Sequence, residues 1–334
     1  MISSSPMRKL LLPLIPVYHL GLTVRECRLR RGWEPVRRLG FPVISIGNLS
    51  TGGAGKTPFT IALARALVDR GLGVDVLSRG YGRRTEGVAR VDPDGSPEDF
   101  GDEPLLIARQ AGVHVYVARE RCEAGRMAES ETASGPRLHI LDDAFQHRQL
   151  HRDVDILLLN RKDWRDRLLP AGNLREPLGA AHRAHVIAIP EKDAELEREL
   201  RAWGWNGPVW RLHRHMEVPR VEGPMVAFCG IARPEQFFAG LENQGLRLAA
   251  RIPFRDHHRF TVRDLERLQN AARSALASAL ITTAKDRIRL EPLIAPGAEI
   301  PMHTAGLRIK IQDEAAALDW LIHRLHTTEI RPSV

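Results

Sequence analysis

The stretch VISIGNLSTGGAGKTP, residues 43–58, limits the folds open to this chain more than any other part of it. A short β-branched run enters a glycine-rich turn, and the apolar-periodic segment Phe59 to Val68 follows at once. Glycines let backbone N–H groups close around phosphate oxygens, and a lysine at the helix start neutralises β- or γ-phosphate charge. The next hydroxyl can ligate Mg2+, and the helix N-terminus adds its dipole. The pattern assigns a nucleotide-phosphate loop to Ser50, Thr51, Gly52, Gly53, Ala54, Gly55, Lys56 and Thr57, with ATP and Mg2+ as cofactors. Pro58 suits a first-turn position, where its missing N–H is not needed. The full phosphate-loop pattern would place glycine at position 50, so Ser50 makes this loop a variant.

Further short apolar runs recur at Val74 to Leu77, Val113 to Val117, Leu138 to Leu141, Asp155 to Leu159 and Val186 to Ile189, with helical segments between them. Runs of this kind suit strands covered on both faces, and their alternation with helices indicates a doubly wound, mostly parallel α/β sheet of the P-loop NTPase type. After the charged stretch Glu191 to Arg201 comes a Trp-, Gly- and Pro-rich segment with no long period, and then a second α/β rhythm. Its expected strands are Val226 to Cys229, Ala249 to Phe254, Leu280 to Thr283 and Leu307 to Ile311. Its expected helices are Pro234 to Leu246, Thr261 to Ala277 and Glu314 to His326. The expected organisation is an N-terminal segment (1–32), a phosphate-loop core (33–205), a linker (206–224) and a smaller α/β lobe (225–334). Two lobes imply a cleft.

A net charge of +8 and a pI near 9.9 favour an anionic partner, whether nucleotide, nucleic acid or acidic membrane. Three widely spaced cysteines indicate neither a disulfide framework nor a zinc site. Near the N-terminus the apolar stretch Leu10 to Val24 is flanked by Arg8 and Lys9 on one side and by Arg25, Arg28, Arg30 and Arg31 on the other. It is shorter than the roughly 20 residues that span a bilayer, and Pro13 and Pro16 interrupt it. Such a segment suits an anionic membrane interface, or a core helix with a solvated basic face.

Three further groups carry chemistry. Asp142 and Asp143 close the apolar run Leu138 to Leu141, and carboxylates at the carboxyl end of a parallel strand face the ligand crevice and can hold Mg2+. Asp102 and Glu103 stand at the head of the segment Leu105 to Gln110; Asp102 is placed either as a general base or as a plain helix cap. Asp256-His257-His258 lies in the second lobe. Two adjacent histidines without a third ligand make a poor metal site, whereas one histidine can orient a carboxylate base.

Taken together, GNLSTGGAGKTP (47–58), LSRGYGR (77–83), GDEP (101–104), LDDAFQH (141–147), LPAGNLREP (169–177), FRDHHRF (254–260) and TTAKD (282–286) resemble the tetraacyldisaccharide 4′-kinase (LpxK) family, whose loop also carries the Ser50 variant. The resemblance implies transfer of the ATP γ-phosphate to the 4′-hydroxyl of a tetraacylated glucosamine disaccharide 1-phosphate, giving lipid IVA. It implies Asp102 as catalytic base with His257 as its partner across the lobes, Lys56 on phosphate, and Thr57, Glu103, Asp142 and Asp143 around the metal and the attacking group. Arg121, Arg175 and Glu176 fall in or near family motifs as phosphate or substrate contacts, or as structural ion pairs. The implied partners are an anionic glycolipid and the cytoplasmic face of the inner membrane, with no nucleic acid. The rival reading is a membrane-associated partitioning or targeting ATPase, whose loop carries an extra lysine where this chain has Thr51. A nucleic-acid-binding ATPase is a second rival, though no binding module is apparent.

Overall fold

The computed structural model describes residues 8, 10–131, 135–294 and 300–329. The outer parts of the expected N-terminal and C-terminal units, residues 1–7, 9 and 330–334, lie outside the described residues, as does 295–299. Helix α1 (Ile15–Arg30) follows a short 3-10 turn at Leu12–Leu14, with Pro16 in its opening turn, where no N–H is missed. Strand β1 (Val43–Asn48) and helix α2 (Lys56–Asp69) flank the glycine-rich turn. The first lobe continues through β2 (Gly73–Ser78), the two-residue β3 (Ala89–Arg90), α3 (Asp102–Ala111), β4 (His114–Val117), α4 (Arg121–Ser130), β5 (Arg137–Leu141), β6 (Val154–Leu158), β7 (Val186–Pro190) and α5 (Ala194–Ala202). After β8 (Val209–Glu217), the second lobe holds β9 (Met225–Cys229), α6 (Pro234–Asn243), β10 (Leu248–Pro253), α7 (Val262–Ser274), β11 (Ala279–Thr283) and α8 (Ala284–Leu290). The chain closes with β12 (Met302–Ile311) and α9 (Glu314–Glu329).

Among the described residues, twelve strands join one sheet in the order β10-β9-β11-β12-β8-β7-β6-β1-β5-β2-β4-β3. Only β3–β4 and β8–β12 are antiparallel; the rest of the ladder is parallel. Strands β1, β5 and β6 are buried almost throughout, as mainly apolar strands are when helices cover both faces, with Ser45, Asn48, His139 and Asp155 as buried polar members. Residues 206–224 differ from the expected linker, because they contain β8, which pairs with β7 on one side and β12 on the other. The long β12 joins the lobes: Met302–Ala305 pairs with β11, and Gly306–Ile311 with β8. The last helix then returns to the first lobe, where Leu318, Leu321 and Leu325 share a core with Ile44, Phe59 and Ile156. The first lobe is thus built from both ends of the chain.

This topology points the carboxyl ends of β1, β5, β2 and β4 at one crevice, where open α/β sheets bind ligands. Gly47 sits there at a close approach: a Cβ on it would lie 2.5 Å from the Cβ of Phe145. The turn after β5 can therefore rest directly on β1, bringing Asp142 and Asp143 beside the phosphate loop.

Candidate active site

The phosphate loop is held from three sides. Ser50 is buried and forms an antiparallel bridge with Leu174, while Thr51 N donates to Asn173 O at 2.8 Å. The Ser50 hydroxyl accepts from Asn48 Nδ2 at 3.0 Å. The serine variant thus has a physical account: the backbone is extended at this position and needs no glycine, and the hydroxyl is paired. Gly55 does need glycine, since its φ of +86° caps α2 in the left-handed region. From the β8 side, Arg214 Nη2 donates to Ala54 O at 2.6 Å.

Lys56 and Thr57 open α2. Lys56 Nζ donates to Asn48 Oδ1 at 2.9 Å and lies 3.5 Å from Asp143 Oδ1. Asp142 is buried and accepts from Thr60 Oγ1 at 2.9 Å. Burial, then the neighbouring negative charges of Glu103 and Asp143, push its carboxyl up to about 7. Asp143 behaves oppositely: burial would raise it, but Lys56 and Arg175 outweigh that and hold it below the ordinary carboxylate range. This pair pushed apart by its surroundings marks a functional centre.

Around it, Arg175 Nη2 donates to Asn48 Oδ1 at 2.6 Å and to Asp143 Oδ1 at 2.9 Å. Glu176 is buried and accepts from Arg183 Nη2 at 2.8 Å and Gln146 Nε2 at 3.2 Å. Arg121 is buried at the start of α4, reaches Asp143 O at 3.4 Å through Nη2, and has no partner for its Nε. A buried guanidinium with a spare donor beside Asp143 suits an anionic group.

The residues present suit a divalent cation. Among the described residues no three His, Cys, Asp or Glu side chains form a self-contained metal cage, but Mg2+ ordinarily takes one or two carboxylates plus phosphate oxygens and water. Burial first, and then the charges of Glu103 and Asp143, raise Asp142, and an added cation would relieve the repulsion.

On the facing side, His257 lies in the loop between β10 and α7, with a φ of +57°. Asp102, buried at the start of α3, is 3.9 Å from His257 Nδ1 through Oδ2. Both are met by α8: Arg289 Nη2 bonds Asp102 Oδ2, and Lys285 Nζ lies 3.7 Å from that oxygen and donates to Glu103 Oε1 at 2.8 Å. Burial favours a proton on Asp102, but Lys285, Arg289 and His257 together hold it below the usual carboxylate range. Asp102 does not cap a helix with its side chain; it faces these cations. His258 is structural: its Nε2 lies 3.1 Å from Asp264 Oδ2 in the capping box of α7, and its ring packs on Phe254 and Phe260.

The structure therefore gathers Lys56, Asp142, Asp143, Arg121, Arg175 and Glu176 on the first lobe, with Asp102 and Glu103 facing His257, Lys285 and Arg289 at the seam. Sequence reasoning assigned no role to Lys285, although it lies in the quoted TTAKD block, and passed over Arg289, Arg214 and Asn48.

The family model for tetraacyldisaccharide-1-P 4′-kinase (LpxK) matches residues 7–326. A tetraacyldisaccharide 4′-kinase of Koribacter versatilis is 42% identical over 321 residues, covering 93% of this chain and 97% of the relative. One from Rhodospirillum rubrum is 38% identical, covering 89% of each. Among solved structures, the "apo" form of LpxK from Aquifex aeolicus in complex with ATP superposes with a TM-score of 0.75 at 34% identity, covering 96% of this chain and 99% of that one. With phosphate loop, paired aspartates and cross-lobe carboxylate in place, and likeness running over nearly its whole length, the chain belongs to the tetraacyldisaccharide-1-phosphate 4′-kinase family.

Proposed function

We propose that this protein transfers the γ-phosphate of ATP to the 4′-hydroxyl of tetraacyldisaccharide 1-phosphate, forming lipid IVA. The observation that carries the reading is the seam itself: a phosphate loop with Asp142 and Asp143 on one side, and Asp102 with His257 opposite, linked through Glu103, whose charge is felt at Asp142. A switch ATPase needs no second-lobe base. Lys56 takes phosphate charge, Asp102 accepts the hydrogen bond of the acceptor hydroxyl, and His257 supports that carboxylate. Thr57, Asp142 and Asp143 would hold Mg2+, with Glu103 beside them; when bound, the ion offsets charge on the phosphate oxygens. Arg121 and Arg175 would take phosphate, and Glu176 would set Arg183 and Gln146 around the acceptor.

Helix α1 supports an acceptor drawn from a membrane. Leu10, Leu14, Val17, Leu20 and Val24 are exposed along the N-terminal segment, and Arg25 and Arg28 follow. Among the described residues no helix is long and apolar enough to cross a bilayer, so the proposed placement is peripheral, on the cytoplasmic face of the inner membrane. Tyr18 Oη donates to Arg175 O at 2.9 Å, tying this helix to the loop that carries the phosphate-side arginine.

The test is incubation of the purified protein with γ-labelled Mg2+-ATP and tetraacyldisaccharide 1-phosphate in detergent micelles. Label in the lipid is expected; ATP hydrolysis with no labelled lipid would leave the switch-ATPase reading standing instead.

The metal assignment has its own readout. Because Asp142 keeps its proton below about 7, a divalent cation must displace it there, and binding should release protons. Affinity for Mn2+ with a non-hydrolysable ATP analogue, read by electron paramagnetic resonance, is expected to drop about tenfold per pH unit below that value and level off above it. Asp142→Asn should flatten the dependence; a slope that survives would remove Asp142 from the metal.

A further inference from the structure

Asp102 Oδ2 and His257 Nδ1 are 3.9 Å apart, too far for a direct hydrogen bond. Nη2 of Arg289 stands between them, bonded to Asp102 Oδ2 and 3.0 Å from His257 Nδ1. Lys285 Nζ lies 3.5 Å from the other ring nitrogen, Nε2, so α8 presents a cation to each side of the imidazole. The other edge of Arg289 is anchored inside the second lobe: Nη1 donates to Asp286 Oδ1 at 3.0 Å and to Gly230 O at 3.2 Å. Asp286 is fully buried and is fixed by Gly230 N at 2.9 Å and Thr283 Oγ1 at 2.8 Å. One edge of the planar fork thus belongs to the second lobe, and the other is spent on the two groups at the seam. One turn earlier on α8, Lys285 holds Glu103.

We propose that Arg289 is a positioning residue for phosphoryl transfer, bridging Asp102 and His257 across the lobes so that the carboxylate is correctly aimed only while the second lobe is docked. The proposal deepens the kinase reading and rests on it. Anchoring to Asp286 and Gly230 requires Nη1 alone, so a purely structural role leaves the Nη2 contacts unexplained. The rigid fork matters because a lysine at this position can reach one set of partners but not both at once. Docking then has a chemical consequence: when the second lobe swings away, Asp102 loses its aim, and no acceptor is activated while the site is open to water.

The test uses the full chain, with kcat and the KM for ATP measured in micelles for Arg289→Met and Arg289→Lys, each alone and in an Asp102→Ala background. Arg289→Met is expected to lower kcat about 100-fold, as misaimed catalytic groups do, with the ATP KM changed less than about threefold. Arg289→Lys should recover part of the loss. In the Asp102→Ala background Arg289→Met should cost nothing further, since the two act as a unit. Wild-type kcat in either Arg289 variant, or an undiminished loss on top of Asp102→Ala, overturns the bridge. Should Arg289→Met lose its thermal unfolding transition, Arg289→Lys decides alone: intermediate kcat supports the bridge and full kcat rejects it. A wild type that fails to phosphorylate the lipid removes the kinase reading and the bridge together, whereas an active wild type indifferent to Arg289 removes only the bridge.

Discussion

Lys56→Ala is expected to lower kcat on the order of 1000-fold while the protein unfolds near the wild-type temperature. Phosphoryl transfer offers a protein little covalent chemistry, so most of the acceleration comes from positioning and from charges preset around the γ-phosphoryl oxygens. Lys56 is the ammonium of the phosphate loop: its side chain is only 14% exposed, and it rests on Asn48 Oδ1 and beside Asp143. The fold should tolerate its loss because Asp143 keeps Arg175, which contacts both Asp143 oxygens. Steady-state turnover and a thermal melt check both halves, and turnover within tenfold of wild type would remove the loop from the chemistry.

Legibility in the sequence followed the range of the interactions. The phosphate loop is local, with every feature within Val43 to Pro58, and the buried strands announce themselves because a parallel sheet covered on both faces is mostly apolar. Strand β8 does not, because only Trp210 and Leu212 are buried in VWRLHRHME and the rest of the strand is held by its backbone ladders. The return of α9 to the first lobe is equally hidden, since Leu318 and Leu321 read the same whichever core they enter. At the site, Asp102 and His257 could be paired through family motifs, but Arg289 meets Asp102 across 187 positions and Lys285 meets Glu103 across 182. Nothing in an arginine on a short helix tells which carboxylate it serves. The Ser50 variant shows the converse: a departure in sequence that the bridge to Leu174 makes unremarkable in space.

Asp102→Asn is expected to cost about 1000-fold in kcat, within the range of a lost general base, and His257→Ala should cost less, because His257 acts on the hydroxyl only through Asp102. The pH profile separates this role from the metal site. Lys285, Arg289 and His257 outweigh burial and keep Asp102 depressed, so it is already ionised well below neutrality. Its loss should therefore scale the whole profile down without moving the acid limb. That limb should follow Asp142, held near 7, and shift only in Asp142→Asn. A carboxylate with so low an affinity for protons is a weak base, but a loose phosphoryl-transfer transition state asks little of one: the hydroxyl must be aimed, and its proton leaves late. Aim is what the seam supplies, which is why the Asp102 and His257 losses should fail to multiply when the two are combined. If Asp102→Asn displaces the acid limb while Asp142→Asn leaves it in place, the two carboxylates have been assigned the wrong way round.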